Sequence, residues 1–144
     1  MGSKMVVLIM AVFSICSLPI IYADSSVSGT GTAGLGTVFV AHSCPGDMLT
    51  GLTSPYTATV DNTIWRGTQT CNTKYSIQCT GPEGACKLGA TVVVTVVDHC
   101  LTEATCVLVD NDHVLDSTFI LSDAAFLKIA NVLGGDPITV SYAK

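Results

Sequence analysis

Residues Ala90 to Cys100 read Ala-Thr-Val-Val-Val-Thr-Val-Val-Asp-His-Cys. β-branched side chains fill the run from Ala90 to Val97 without the alternation of a half-exposed strand, so it predicts a strand buried on both faces. Working outward, Lys74 to Cys79 does alternate, with Tyr75, Ile77 and Cys79 on one face and Lys74, Ser76 and Gln78 on the other. Tyr56 to Val60 predicts another strand, as does Thr37 to Ala41, bounded by Gly36 and the turn-forming Ser43-Cys44-Pro45-Gly46-Asp47. Short strands are predicted at Val107 to Val109, Thr118 to Leu121 and Ile138 to Tyr142. A single helix is expected near the C-terminus: Ser122 caps it, Ala125, Phe126, Ile129, Ala130 and Leu133 form its apolar face, and Gly134-Gly135 stop it. The Ser-, Gly- and Thr-rich stretch from Ser25 to Gly36 reads as a flexible lead-in, with the domain proper from Gly31 to Lys144. Many short strands with one helix predict a mainly β chain folded as a small closed or nearly closed barrel.

The chain has 144 residues, 49% hydrophobic and 12% charged, which fits one globular domain. Eleven acidic residues against six basic ones give a net charge of −5. With no basic block, this composition argues against gripping nucleic acid or an anionic membrane.

The first 23 residues read as an export signal. Lys4 supplies the positive start, Met5 to Cys16 the apolar stretch, and Ile21-Tyr22-Ala23 the small-residue cleavage site before Asp24. A spanning helix needs about 20 apolar residues, whereas Ser14, Ser17 and Pro19 interrupt this run. Cleavage would leave no inserted segment and would remove Cys16. Cys44, Cys71, Cys79, Cys86, Cys100 and Cys106 would remain, an even set suited to three disulfides in an oxidising compartment. No Cys-x-x-Cys pair supports zinc, and the sequence leaves the disulfide pairing open.

Other metal, nucleophile and nucleotide signals are weak. Asp110-Asn111-Asp112-His113 with Asp116 places oxygen donors at alternating positions, but it lacks the glycine and terminal glutamate of an EF-hand loop and reads as a solvated acidic loop. His42, His99 and His113 are scattered, and there is no Gly-x-Ser-x-Gly nucleophile motif, phosphate loop or N-glycosylation sequon. No metal or cofactor is expected. Trp65, the lone tryptophan, has two readings: stacking on a sugar or partner, or core burial beside Ile64. Asp98 likewise is either a catalytic carboxylate at the end of the valine strand or a hydrogen-bond acceptor that holds its own loop.

Several features taken together carry a family resemblance: the export signal, Gly31-Thr32-Ala33, Ile64-Trp65, Cys71 and Cys79 around Tyr75, Cys86, Val96-Val97-Asp98-His99-Cys100, and Phe119-Ile120-Leu121-Ser122 before a Phe-containing helix. The chain resembles plant natriuretic peptides, also called endoglucanase-45-like domain proteins, which are similar to the first domain of expansins. The resemblance implies a six-stranded double-psi β barrel and the disulfides Cys44–Cys71 and Cys79–Cys86, leaving Cys100–Cys106. It also implies a protein secreted to the apoplast and cell wall, monomeric, acting on water and ion balance through a membrane receptor. Its segment corresponding to Thr53 to Asn72 is the one assigned signalling, which makes Trp65, Arg66, Lys74 and Tyr75, with Asp98, the binding candidates. Where relatives carry Cys-Gly-Arg-Arg-Tyr, this chain has Cys71-Asn72-Thr73-Lys74-Tyr75.

The resemblance aligns Asp98 with one carboxylate of the parent endoglucanases and Thr118-Phe119-Ile120 with their His-Phe-Asp. Ile120 then stands at the general-acid position, and an isoleucine cannot donate a proton. Asp116, four residues earlier, would sit about 13 Å from it along a strand. No hydrolase activity is expected. Two other readings remain: a wall-polysaccharide-binding or wall-loosening protein of the expansin type, and a barwin-like defence protein.

Overall fold

The structure, a computed structural model, describes residues 27–36, 43–100, 106–110, 113–131 and 137–144, with only the backbone for 106–110 and 113–116. The export signal, the strand at Thr37 to Ala41, His42, Leu133 and Gly134-Gly135 lie outside the described residues. So do the side chains of Cys106, Asp110, His113 and Asp116.

Among the described residues, eight strands and one α-helix follow one another as β1 (Ser28–Leu35), β2 (Thr57–Val60), β3 (Lys74–Gly81), β4 (Thr91–His99), β5 (Cys106–Asp110), β6 (His113–Ser117), β7 (Phe119–Leu121), α1 (Asp123–Ile129) and β8 (Ile138–Ala143). Six strands close a barrel in the order β1-β7-β2-β4-β3-β8, and β5 pairs with β6 alone. The β1/β7 and β2/β4 pairs are parallel and the others antiparallel. Closure leaves none of these six strands with an unpaired edge. The barrel is filled by Val60, Ile77, Val94, Val96, Phe119, Leu121, Ile138 and Val140, with Phe126 and Ile129 of α1 joining the same cluster. Tyr75, Phe119 and Tyr142 meet edge-on or tilted, their centroids 5.1 to 6.2 Å apart.

The valine strand differs from its prediction. Val92, Val94 and Val96 are buried, but Val93 is 53% exposed and Thr91 is exposed, so the first half of β4 has one wet face. A barrel strand has an inside and an outside, and β-branched residues suit both; unbroken apolarity here reports strand propensity rather than double burial.

The glycine-rich segment is also corrected. Ser28 to Thr30, expected in the flexible lead-in, are paired with Ala143 to Ser141 of β8. Glycine is needed because the strand runs close under other side chains. A Cβ at Gly29 would come within 2.6 Å of the Tyr142 hydroxyl, and one at Gly31 within 2.5 Å of Thr118 Oγ1.

The acidic loop expected between Asp110 and Asp116 is instead a hairpin, with Asp110 opposite His113 and Val107 opposite Asp116.

The helix is shorter than predicted. Ala130 leaves it in extended conformation to bridge Cys86, and Lys87 N–H donates to the Ile129 carbonyl at 2.8 Å, so the β3–β4 loop satisfies the helix end. Ser122 precedes the helix without capping it through its side chain. Its hydroxyl donates to the Pro55 carbonyl and accepts from Thr57 N–H, tying the helix start to β2.

Disulfides join Cys44 to Cys71 and Cys79 to Cys86. Cys100 is also disulfide-bonded. By chain entropy the first closes a loop worth about 3 to 4 kcal/mol and the second about 2 kcal/mol.

Candidate functional site

The site is created by an irregularity between two parallel strands. Ala58 pairs with Val96, but Thr59 pairs with Asp98 and Val60 with His99, so β4 carries one extra residue, Val97. The extra residue turns Asp98 away from the inward side set by Val92, Val94 and Val96 and aligns it with Thr59. Thr59 in turn pairs with Ile120 of β7, and Ile120 with Gly34 of β1. Their sequence neighbours Ala33, Ala58, Val60, Phe119 and Leu121 belong to the core. Gly34, Ile120, Thr59 and Asp98 therefore form one row on the outer side of four adjacent strands.

This row is covered. Asp98 is 1% and Ile120 8% exposed. Asp98 Oδ1 accepts hydrogen bonds from His99 N–H at 2.8 Å and Ser43 N–H at 3.2 Å, linking β4 to the segment that carries Cys44. Oδ2 is buried with no hydrogen-bond partner among the described residues. An unsatisfied buried oxygen of this kind costs about 1 to 3 kcal/mol, which offsets part of what the two hydrogen bonds at Oδ1 contribute. The loop-holding reading of Asp98 has these two hydrogen bonds behind it.

Beyond β2 the chain makes a turn whose first residue, Asp61, was not singled out in the sequence. Its buried carboxylate accepts from Thr63 N–H at 2.9 Å and from the Thr63 hydroxyl. Its carbonyl accepts from Trp65 N–H at 2.9 Å. A strand ending in Val60-Asp61-Asn62-Thr63 carries the signature of this turn, since an aspartate readily bonds the backbone two residues on.

The turn lays the Trp65 ring over His99, with centroids 4.7 Å apart and planes 10° from parallel. His99 Nε2 lies 2.6 Å from Asn62 Oδ1. Trp65 is partly buried, packed against the core, and remains partly exposed. His99, considered in the sequence only as a metal ligand, serves as its stacking partner. Among the described residues no His, Cys, Asp or Glu cluster could hold a metal ion.

Arg66 is exposed, and its Nη1 donates to the carbonyls of Trp65 at 2.9 Å and Asn62 at 3.2 Å. Gly67 then turns at φ 90°, which allows Arg66 N–H to reach Thr70 Oγ1 at 2.8 Å. Lys74, exposed, begins β3 opposite Thr95, after Asn72 at φ 62°. Tyr75, like Asp98, is buried, whereas Arg66 and Lys74 are exposed. Burial, then the neighbouring Tyr142, push the Tyr75 hydroxyl above the ordinary tyrosine pKa, while Arg66 and a hydrogen bond with Thr73 oppose the shift. The structure thus gathers Trp65, Arg66 and Asp98 around the ends of β2 and β4, and leaves Lys74 at the start of the next strand.

Among the described residues, no helix is long and apolar enough to cross a membrane. No family model matches the chain. It is similar to EG45-like domain containing protein 1 of Arabidopsis thaliana, with 31% identity over 81 residues, 54% of this chain and 57% of that relative. The match thus spans little more than half the relative's length.

Proposed function

We propose that this protein is a secreted, non-hydrolytic recognition protein of the EG45-like type, similar to plant natriuretic peptides, that acts in the extracellular wall space on water and ion balance. The observation that carries the proposal is the row Asp98, Thr59, Ile120. Glycoside hydrolysis normally requires two carboxyl groups facing each other across the sugar. Positions 98 and 120 are two strand spacings apart, about 10 Å at the backbone, near the separation used by inverting enzymes. One end carries a carboxylate and the other an isoleucine that can neither donate nor accept a proton. Asp98 is occupied in holding its loop, so recognition rather than bond cleavage falls to the surface beside it.

That surface is the Asp61 turn, which presents Trp65 stacked on His99 with Arg66 next to it. A half-exposed, rigidly stacked indole offers a partner contact area at low entropic cost. Its partner in this reading is a membrane receptor. The paired cysteines support export, because disulfides persist in oxidising compartments. The test is binding of labelled protein to plasma-membrane vesicles beside binding to purified wall polysaccharide. Saturable vesicle binding lost in Trp65→Ala is expected. Binding to polysaccharide alone overturns the receptor reading.

A further inference from the structure

A cleft of about 330 Å³ opens beside the Asp61 turn, where Thr63, Arg66, Gln69, Thr73, Tyr75 and Lys144 meet among its walls. The whole chain has six basic side chains, and two of them line this one cleft, which no aspartate or glutamate lines among the described residues. In an acidic protein such a concentration is a local reversal of charge.

Arg66 is already oriented. Both of its hydrogen bonds to the turn use Nη1, so the Nε and Nη2 donors remain, and that edge matches a carboxylate through two parallel hydrogen bonds. Lys144 is held by its backbone N–H on the Val27 carbonyl at 2.8 Å, while its ammonium has no ion-pair partner among the described residues. The remaining polar wall is neutral: the Gln69 amide donates and accepts, while the Thr73 hydroxyl donates to the Thr70 carbonyl at 2.6 Å and, with the Tyr75 hydroxyl it is hydrogen-bonded to, keeps acceptor capacity for a ligand hydroxyl.

We infer that this cleft is a binding site for a carboxylated sugar, a uronate unit of an acidic oligosaccharide, with its carboxylate between Arg66 and Lys144 and its hydroxyls on Gln69, Thr73 and Tyr75. Two cations alone would suit any small anion. The neutral donor and acceptor groups beside them suit a ligand that is anionic at one end and polyhydroxylated over the rest. The volume lies at the lower end for small-molecule sites and holds a short ligand, with a longer chain running out of the cleft. The inference goes beyond the recognition reading and does not need it, because Trp65 is not among the cleft walls.

The test titrates the mature, disulfide-bonded protein with a trigalacturonate, the matching neutral galactose trisaccharide and inorganic phosphate. Amide shifts and calorimetry provide the readout. Saturable shifts at Arg66, Thr70 and Thr73 with trigalacturonate are expected, weakening as salt is raised. Arg66→Gln and Lys144→Gln are each expected to weaken binding about tenfold or more, with amide shifts of the barrel strands unchanged. No saturable shift, equal binding of the neutral sugar, equal binding of phosphate, or full binding in both variants would each overturn the inference. Failure here leaves the non-hydrolytic reading standing, whereas Asp98-dependent sugar release removes that reading without affecting the Arg66 and Lys144 dependence.

Discussion

Ile120 and Asp98 flank Thr59, each its direct register partner on a neighbouring strand, and only one of the two can exchange a proton. The contacts that remain at Asp98 are structural, and they set its mutational profile. Asp98→Asn keeps an oxygen for the His99 and Ser43 amides and replaces a charged orphan oxygen with a neutral group, so its stability should stay within about 1 kcal/mol of the parent or rise. Asp98→Ala leaves those amides unpaired and should cost about 1 to 3 kcal/mol. Urea denaturation of both variants provides the check, and equal losses would contradict the loop-holding role.

The Trp65 and His99 rings should be energetically coupled. A double-mutant cycle with Trp65→Ala and His99→Ala is expected to give a coupling of about 0.5 to 1.5 kcal/mol, and the fluorescence of the single tryptophan should change in His99→Ala. Strict additivity with an unchanged emission spectrum would mean that the stack is absent in solution.

Gly31→Ala should destabilise the barrel by about 1 to 3 kcal/mol, because the new methyl group would collide with Thr118 across the closing strands. Gly46→Ala, with open space around the added carbon, is the neutral control. Equal melting temperatures for the two variants would return residues 28–35 to the flexible lead-in that their composition suggests.

Peptide mapping of the secreted protein without reduction should find a chain starting near Asp24 with no free thiol, and Cys44 joined to Cys71, Cys79 to Cys86 and Cys100 to Cys106. A bridge between Cys79 and Cys100 would contradict the Cys79–Cys86 cross-link of the structure.

What the sequence made legible follows the physics of each segment. Lys74 to Cys79 alternates because one face meets water and the other the core, and that pattern survives any tertiary context. Phe119 to Leu121 and Ile138 to Tyr142 were visible through β-branched and aromatic content. Ser28 to Thr30 were not, since their glycines answer to Tyr142 and Thr118, residues far along the chain. Nor was the hairpin of β5 and β6, where acidic residues masked the pairing of their flanks. At the site, Asp98 stood out as the polar end of an apolar strand. The extra residue at Val97 that aligns it with Thr59 and Ile120 is a property of strand pairing and leaves no mark on β4 alone. His99 was visible as a histidine, but its place over Trp65 depends on the Asp61 turn.

The most direct test of the non-hydrolytic reading is reducing-sugar release from cellulose and mixed-linkage glucan by the mature protein beside Asp98→Ala. Loss of a general acid typically removes about 100- to 10,000-fold in rate, so neither protein should release sugar above the buffer blank. Release by the parent protein that disappears in Asp98→Ala would contradict the account.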